Sequence, residues 1–91
     1  MISHLAGSFR RLFAELPQEV QDLARKNYRL WMNNPHHPGL EFKRVNPVEP
    51  IYSVRVGNDW RALGEREGNV IVRFWIGSHS DYDKILDRIG R

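Results

Sequence analysis

The chain has no cysteine among its 91 residues. This absence excludes disulfide bonds, zinc sites built from thiolates and catalysis by a cysteine nucleophile. It also agrees with a reducing compartment, because disulfides persist mainly in oxidising ones. We therefore expect a cytoplasmic protein.

Long apolar runs are missing as well. No segment approaches the roughly 20 apolar residues of a membrane-spanning helix, and the N-terminus lacks the apolar core of a signal peptide. The sequence thus predicts neither a membrane segment nor a secreted protein. The 11 acidic residues are outnumbered by 14 lysines and arginines, and the net charge of +3 slightly favours an anionic partner.

The front half of the chain has the period of helices. Apolar side chains recur at helical spacing over 9–16, and Ser8 just before them is the predicted N-cap. Pro17 suits the first turn of a second helix, whose apolar stripe covers 20–31 and ends at the NNPHHPG segment over 33–39. These signals predict two helices packed as a hairpin.

The back half changes to a period of two, which is typical of strands. We predict strands over 40–45, 51–57, 60–67 and 70–76. Short turns make the later strands antiparallel neighbours, and Ser78 with Asp81 has the spacing of a capping box that starts a last helix. The predicted fold class is α+β: an N-terminal helical hairpin packed on a small antiparallel sheet of about four strands, with a C-terminal helix, in one domain over 1–91.

Alternation of side chains along each strand sorts the basic residues between the two sheet faces. In 51–57 the valines are expected to face the core, which turns Arg55 to the other face. In the apolar strand 70–76, expected in the sheet interior, the even-numbered residues form the smoother apolar face and Arg73 turns away from it. One face is then covered by the helices, and the other carries Arg55, Arg73 and an edge arginine, Arg61.

This open face combines basic side chains with aromatic rings. Guanidinium groups bind phosphate bidentately and rings stack on bases, so such a face can hold single-stranded RNA. The predicted RNA-binding residues are Lys43, Arg44, Arg73 and Trp60. The alternative is a solvated face whose arginines serve solubility.

A histidine, His79, stands at the corner between the last strand and the last helix. An imidazole exchanges protons near neutral pH, so His79 is a candidate acid or base; the alternative is a helix-start residue without a catalytic role. His36 and His37 have no further ligands at usual metal-site spacing. We therefore expect neither a metal nor another cofactor.

Four segments in order carry a family resemblance over Phe9 to Arg88: LPQEVQDLARKNYRLWMNNP, LEFKRV, IYSVRVGNDWRAL and VIVRFWIGSHSDYDKIL. Together they resemble the RelE/ParE superfamily of small bacterial toxins. The resemblance implies the toxin of a type II toxin–antitoxin system, a ribosome-associated mRNA endonuclease that cleaves without metal through attack of a 2′-hydroxyl on the adjacent phosphate. The implied partners are mRNA on the ribosome and a cognate antitoxin with an acidic, partly disordered segment.

The same resemblance implies roles for single residues. DWRAL resembles the family's aromatic–arginine segment, which makes Arg61 the contact to the scissile phosphate, and Arg55 matches a basic position just upstream. GSHSD is similar to the YafQ branch of the family, which makes His79 the catalytic acid or base and Asp81 the carboxylate that orients it.

Two positions depart from the pattern of RelE. Ser53 takes the place of one of two lysines, and Ile85 takes the place of a last-helix tyrosine, with Tyr82 one turn earlier. Two alternatives therefore stay open: a ParE-like toxin that binds DNA gyrase without nuclease chemistry, and a degenerate family member with little activity.

Overall fold

The computed structural model describes residues 1–89; Gly90 and Arg91, the last residues of the predicted domain, lie outside the described residues. The helices are α1 (Gly7–Ala14), α2 (Gln18–Asn33) and α3 (His79–Ile89). The strands are β1 (Ile2–Leu5), β2 (Lys43–Arg44), β3 (Ile51–Val56), β4 (Trp60–Glu67) and β5 (Val70–Ser78). The α+β prediction, with a helical hairpin packed on the sheet and a C-terminal helix, is confirmed.

The sheet has five strands rather than about four, in the order β1-β5-β4-β3-β2. β1 pairs in parallel with β5, and the other pairs are antiparallel. β1 was not predicted, because its four residues are largely exposed and carry no apolar alternation, so only the long-range pairing with β5 makes them a strand. The interior position of β5 is confirmed, since β1 and β4 flank it.

The ends of the elements follow local chemistry, with one correction. Ser8 is not the N-cap of α1: Ala6 holds that position, and the Ser8 hydroxyl donates to the carbonyl of Phe74 at 2.7 Å, which ties α1 to β5. α2 starts directly after Pro17, as predicted. The predicted start of α3 is also confirmed, because the Ser78 hydroxyl accepts from the backbone N–H of Asp81 at 3.2 Å.

The predicted strand 40–45 is reduced to the two residues of β2. A short 3₁₀ helix spans Pro38–Leu40, and Glu41 follows it with a left-handed φ of 46°. This conformation is uncommon for a residue other than glycine and turns the chain sharply before β2 can begin. The turn also determines where the Glu41 side chain lies.

Helices cover both faces of the sheet, which corrects the prediction that they cover only one. Against α1 and α2 lie two buried clusters, one around Val56 and Ile76 and one around Trp31 and Ile71. Against α3 lies a third cluster that includes Leu63, which is 1% exposed. Burial of one such leucine contributes about 1.5–3 kcal/mol, so each helix is held mainly by its apolar stripe.

A β-bulge at Phe74 decides which face Arg73 occupies. Leu63 pairs with Trp75, but the next residue of β4, Gly64, pairs with Arg73, so Phe74 is left out of the register. Phe74 and Trp75 consequently both pack on the α3 side. From the bulge back towards the start of β5, each side chain therefore lies on the face opposite to the predicted one. The prediction that Arg73 shares the face of Arg55 is wrong.

Candidate active site

A polar cavity of about 140 Å³ lies where α3 leaves part of its sheet face uncovered. It is lined by Glu41, Lys43, Ser53, Arg55, Arg61, His79 and Tyr82. We call it the polar pocket. It brings together four of the predicted site residues, namely Lys43, Arg55, Arg61 and His79.

Strand register explains how three cations meet in the polar pocket. Arg55 and Arg61 are direct partners across β3 and β4, and Lys43 is the partner of Ser53 on the same face. Like charges placed directly opposite each other destabilise a sheet. An anion bound between these side chains would therefore remove a repulsion as well as make hydrogen bonds.

The turn over 57–60 holds both guanidinium groups in place. Arg55 donates from Nε to the carbonyl of Gly57 at 3.0 Å and from Nη2 to the side chain of Asn58. Arg61 donates from Nη1 to the carbonyl of Trp60 at 2.7 Å and to that of Asn58 at 3.3 Å. Among the described residues, the other N–H groups of Arg61 have no partner, so they are available to a ligand.

Gly57 makes this turn possible. Its φ of 63° is left-handed, and a Cβ atom there would lie 2.7 Å from a methyl group of Leu23 on α2. A larger residue would be strained and would also collide with the hairpin on the opposite face. The position of the two guanidinium groups therefore depends on a glycine that carries no chemistry itself.

One carboxylate lies among these cations. Glu41 Oε1 is 3.7 Å from Arg55 Nη1, and both side chains are partly exposed. The left-handed conformation of Glu41 directs its side chain into the pocket. Sequence reasoning missed this residue, because no periodic signal marks an isolated left-handed residue that is not glycine.

His79 is the first residue of α3 and is fixed from two sides. Its backbone N–H donates to the carbonyl of Asp59 at 2.8 Å, and its Nδ1 lies 3.3 Å from Asp83 Oδ2. The ring is half-exposed and also packs edge-on against Tyr82, with 5.9 Å between centroids. With Nδ1 beside a carboxylate, Nε2 is the nitrogen left to act on a substrate.

The carboxylate next to His79 is Asp83, and the expectation that Asp81 orients the ring is wrong in its geometry. Residues four apart on a helix share a face, whereas residues two apart do not. Asp81 instead points towards Lys84, with 3.9 Å between charged atoms. The i+4 spacing was visible in the sequence and could have identified Asp83.

A buried hydrogen bond anchors α3 under the pocket. The Tyr82 hydroxyl donates to Ser53 Oγ at 3.2 Å, and Ser53 is only 3% exposed. The sequence predicts no role in the site for Ser53 or Tyr82, and the structure brings their hydroxyls together at the polar pocket.

Comparison with known proteins identifies the family. A model of the ParE-like toxin domain matches residues 18–84, which include every residue of the polar pocket. The chain belongs to the ParE-like toxin domain family. The predicted membership of the RelE/ParE superfamily is thereby confirmed, although no curated protein sequence matches the chain.

Solved structures of similar fold agree with this assignment. A chain of the RelB–RelE antitoxin–toxin complex from Methanococcus jannaschii has a TM-score of 0.70 at 19% identity, over 89% of this chain and 96% of that one. YafQ from E. coli strain BL21(DE3) has a TM-score of 0.69 at 14% identity, and the match covers 88% of this chain and 94% of YafQ. A chain of the archaeal RelE–RelB complex from Pyrococcus horikoshii OT3 has a TM-score of 0.66 at 12% identity, and the match covers 85% of this chain and 92% of that one. At these identities the likeness establishes the fold alone.

Three predicted RNA-binding residues of the toxin domain lie outside the polar pocket. Arg73 faces the hairpin, with its guanidinium 3.8 Å from the ring centroid of Tyr28, and burial lowers its pKa. Arg44 lies on the face opposite Lys43 and donates to the carbonyls of the loop after β2. Trp60 packs against the core under the hairpin. Each position follows from side-chain alternation, which for Arg73 includes the bulge.

Neither a metal site nor a membrane helix is found in the described part of the toxin domain. Within residues 1–89, no cluster of three or more histidine, cysteine or acidic side chains is placed to hold a metal ion. His37 serves as a turn residue, because its Nδ1 accepts from the backbone N–H of Gly39 at 3.1 Å. No helix in the same range is long and apolar enough to cross a bilayer.

Proposed function

We propose that this toxin domain is an mRNA endonuclease that cleaves a phosphodiester through attack of the neighbouring 2′-hydroxyl, without a metal ion. The observation that supports the proposal is the polar pocket itself. It places an imidazole and a carboxylate beside three cations. This is the set of groups that phosphodiester cleavage of this kind requires.

Arg55 and Arg61 are proposed to hold the scissile phosphate between them. Attack by the 2′-oxygen adds negative charge to the phosphate oxygens, and pre-positioned guanidinium groups stabilise that charge more than they stabilise the substrate. The turn over 57–60 has already ordered both side chains. Little reorganisation is then needed as the charge develops.

Glu41 and His79 are proposed to move the two protons. Glu41 accepts the proton of the 2′-hydroxyl as the bond from the 2′-oxygen to phosphorus forms. His79 donates a proton from Nε2 to the 5′-oxygen as the bond from phosphorus to that oxygen breaks. The products are a 2′,3′-cyclic phosphate and a 5′-hydroxyl. Asp83 beside Nδ1 holds the ring so that Nε2 faces the substrate.

The partners proposed are mRNA on the ribosome and a cognate antitoxin. Two of the structures with this fold are antitoxin–toxin complexes, which supports the second partner. A basic chain with a net charge of +3 suits an acidic antitoxin segment that folds as it binds. Ribosome-bound mRNA is proposed because the pocket is lined by cations and acid–base groups and offers few groups of its own that could read a base.

The decisive experiment maps cleavage of ribosome-bound mRNA by primer extension, with wild-type protein and the His79→Ala variant side by side. We expect cuts by the wild type that the variant makes at least a hundredfold more slowly. His4→Ala is the matched control, because His4 lies exposed on β1 at the far edge of the sheet. This variant should cleave like wild type.

Two results would contradict the proposal. Equal cleavage by the wild type and His79→Ala would remove His79 from the mechanism. No cleavage by wild-type protein, shown to be folded by its thermal transition, would contradict the nuclease function itself.

A second candidate is a ParE-like toxin that binds DNA gyrase and cleaves nothing. The ParE-like family match favours this candidate. Its test is a supercoiling assay with purified gyrase. Inhibition by wild type and His79→Ala alike, without RNA cleavage, would support gyrase binding, because that function needs no proton transfer.

A further inference from the structure

A second cavity lies on the opposite face of the sheet, between the helical hairpin and the strands. Its volume is about 300 Å³, and most of its surface is apolar. We call it the hairpin cavity; its walls include Phe9, Tyr28, Trp31, Tyr52, Val54 and Arg73. It is separate from the polar pocket, which lies on the other side of β3 and β4.

Small residues contribute to the lining of the hairpin cavity, namely Ala24 on α2 and Ala62 and Gly64 on β4. Protein interiors are normally packed without voids larger than a water molecule. A space of this volume lies instead at the lower end of the range for ligand pockets.

Arg73 gives the hairpin cavity a positive charge with little local compensation. The bulge at Phe74 turns it inwards, where Nε donates to Ser3 Oγ at 3.1 Å. The guanidinium carbon lies 5.2 Å from the ring centroid of Phe9 and 3.8 Å from that of Tyr28. Among the described residues no carboxylate pairs with Arg73. Burial disfavours its charged form and so lowers the pKa of Arg73.

The rest of the lining has the same charge sign. Arg25 and Arg29 of α2 complete the wall, and no acidic residue of the described chain lines the cavity. Arg25 has a partner outside it, Asp22, at 3.5 Å. An anion that entered would therefore meet cations and aromatic rings but no like charge.

We propose that the hairpin cavity binds a small organic anion with an apolar body, its carboxylate on Arg73 and its body among the rings. The volume corresponds to about ten water molecules, so the ligand has on the order of ten non-hydrogen atoms. This proposal does not depend on the nuclease function.

The test is a titration followed by two-dimensional NMR of the isotope-labelled protein, with 3-phenylpropionate as the probe. We expect saturable shifts centred on Phe9, Tyr28 and Arg73 at probe concentrations up to about 10 mM. The alcohol 3-phenyl-1-propanol has the same body without the charge. It should bind about tenfold more weakly, because it loses the charge-assisted bonds to the guanidinium.

Three variants separate the charge from the cavity. Arg73→Met keeps the apolar stem and should weaken 3-phenylpropionate about tenfold while leaving the alcohol unchanged. Ala24→Leu fills the cavity from a helix position that accepts leucine, and should abolish binding of both compounds. Arg88→Met, an exposed change near the end of α3, should bind like wild type.

Several outcomes would overturn the proposal, provided that thermal transitions show folded variants. One is a titration with 3-phenylpropionate that does not saturate. Another is an affinity of Arg73→Met for 3-phenylpropionate equal to that of the wild type. A third is chemical-shift changes centred on Arg61 and His79 rather than on the hairpin cavity. Shifts at the hairpin cavity with an acidic amphipathic peptide but not with 3-phenylpropionate would also overturn it. In that case the surface would be a peptide-docking site.

Discussion

The two faces of the sheet hold the same side chain in opposite ways. On the α3 face, Arg55 and Arg61 are held by carbonyls of a turn and keep N–H groups open to solvent. On the hairpin face, Arg73 lies against aromatic rings, and burial lowers its pKa. All three residues are arginines, so only their surroundings differ. These surroundings suit Arg55 and Arg61 to a phosphate and Arg73 to a desolvated carboxylate.

The largest effect that tests this comparison is loss of a guanidinium from the polar pocket. Arg61→Met should lower the rate of mRNA cleavage about a hundredfold to a thousandfold, because a pre-positioned donor to the reacting phosphate is removed. Arg73→Met should leave the rate within about twofold of wild type, since its side chain lies on the other face. Single-turnover cleavage rates would measure both. A matching loss in Arg73→Met would mean that the two faces are not functionally separate.

The next largest effect is a loss of stability at the bulge in β5, which places Arg73 on the hairpin face. A Cβ atom at Gly64 would lie 2.8 Å from Ile71 and 3.3 Å from the carbonyl of Val72. Gly64→Ala should therefore lower the free energy of unfolding by about 1–3 kcal/mol, measured by urea denaturation. Gly7→Ala, where the nearest atom is the end of the Arg11 side chain at 3.5 Å, is the control and should cost nothing. Equal losses in the two variants would show that crowding at the bulge is unimportant.

A smaller change should distinguish the two aspartates near His79. Asp83→Asn removes the charge beside Nδ1 and should slow cleavage about tenfold, whereas Asp81→Asn should cleave like wild type. Equal cleavage rates of Asp83→Asn and wild type would assign Asp83 a purely structural role.

Sequence reasoning succeeded where local rules act without interruption. Alternation along β3 and the short turn after it placed Arg55 and Arg61 together, and the capping serine placed His79 at the start of α3. Those rules depend only on neighbours in the chain.

The failures occurred where distant contacts determine geometry. In β5, alternation predicted the right faces for Trp75 and Ile76 but the wrong ones from Phe74 back towards the start of the strand, because a bulge depends on the partner strand as well as on the strand itself. Glu41 entered the pocket through a left-handed conformation, and β1 became a strand through pairing with a segment far along the chain. No periodic signal marks either feature.

The smallest expected effect concerns the bond that fixes α3 to its face of the sheet. Tyr82→Phe or Ser53→Ala each leaves one buried hydroxyl without its partner and should cost about 1 kcal/mol of unfolding free energy. The double variant removes both groups, so its loss should be smaller than the sum of the two single losses. Urea denaturation of the wild type, the two single variants and the double variant would measure all the unfolding free energies that this comparison needs. Additive losses would mean that the two hydroxyls contribute independently, so the bond between Tyr82 and Ser53 would not fix α3 to its face of the sheet.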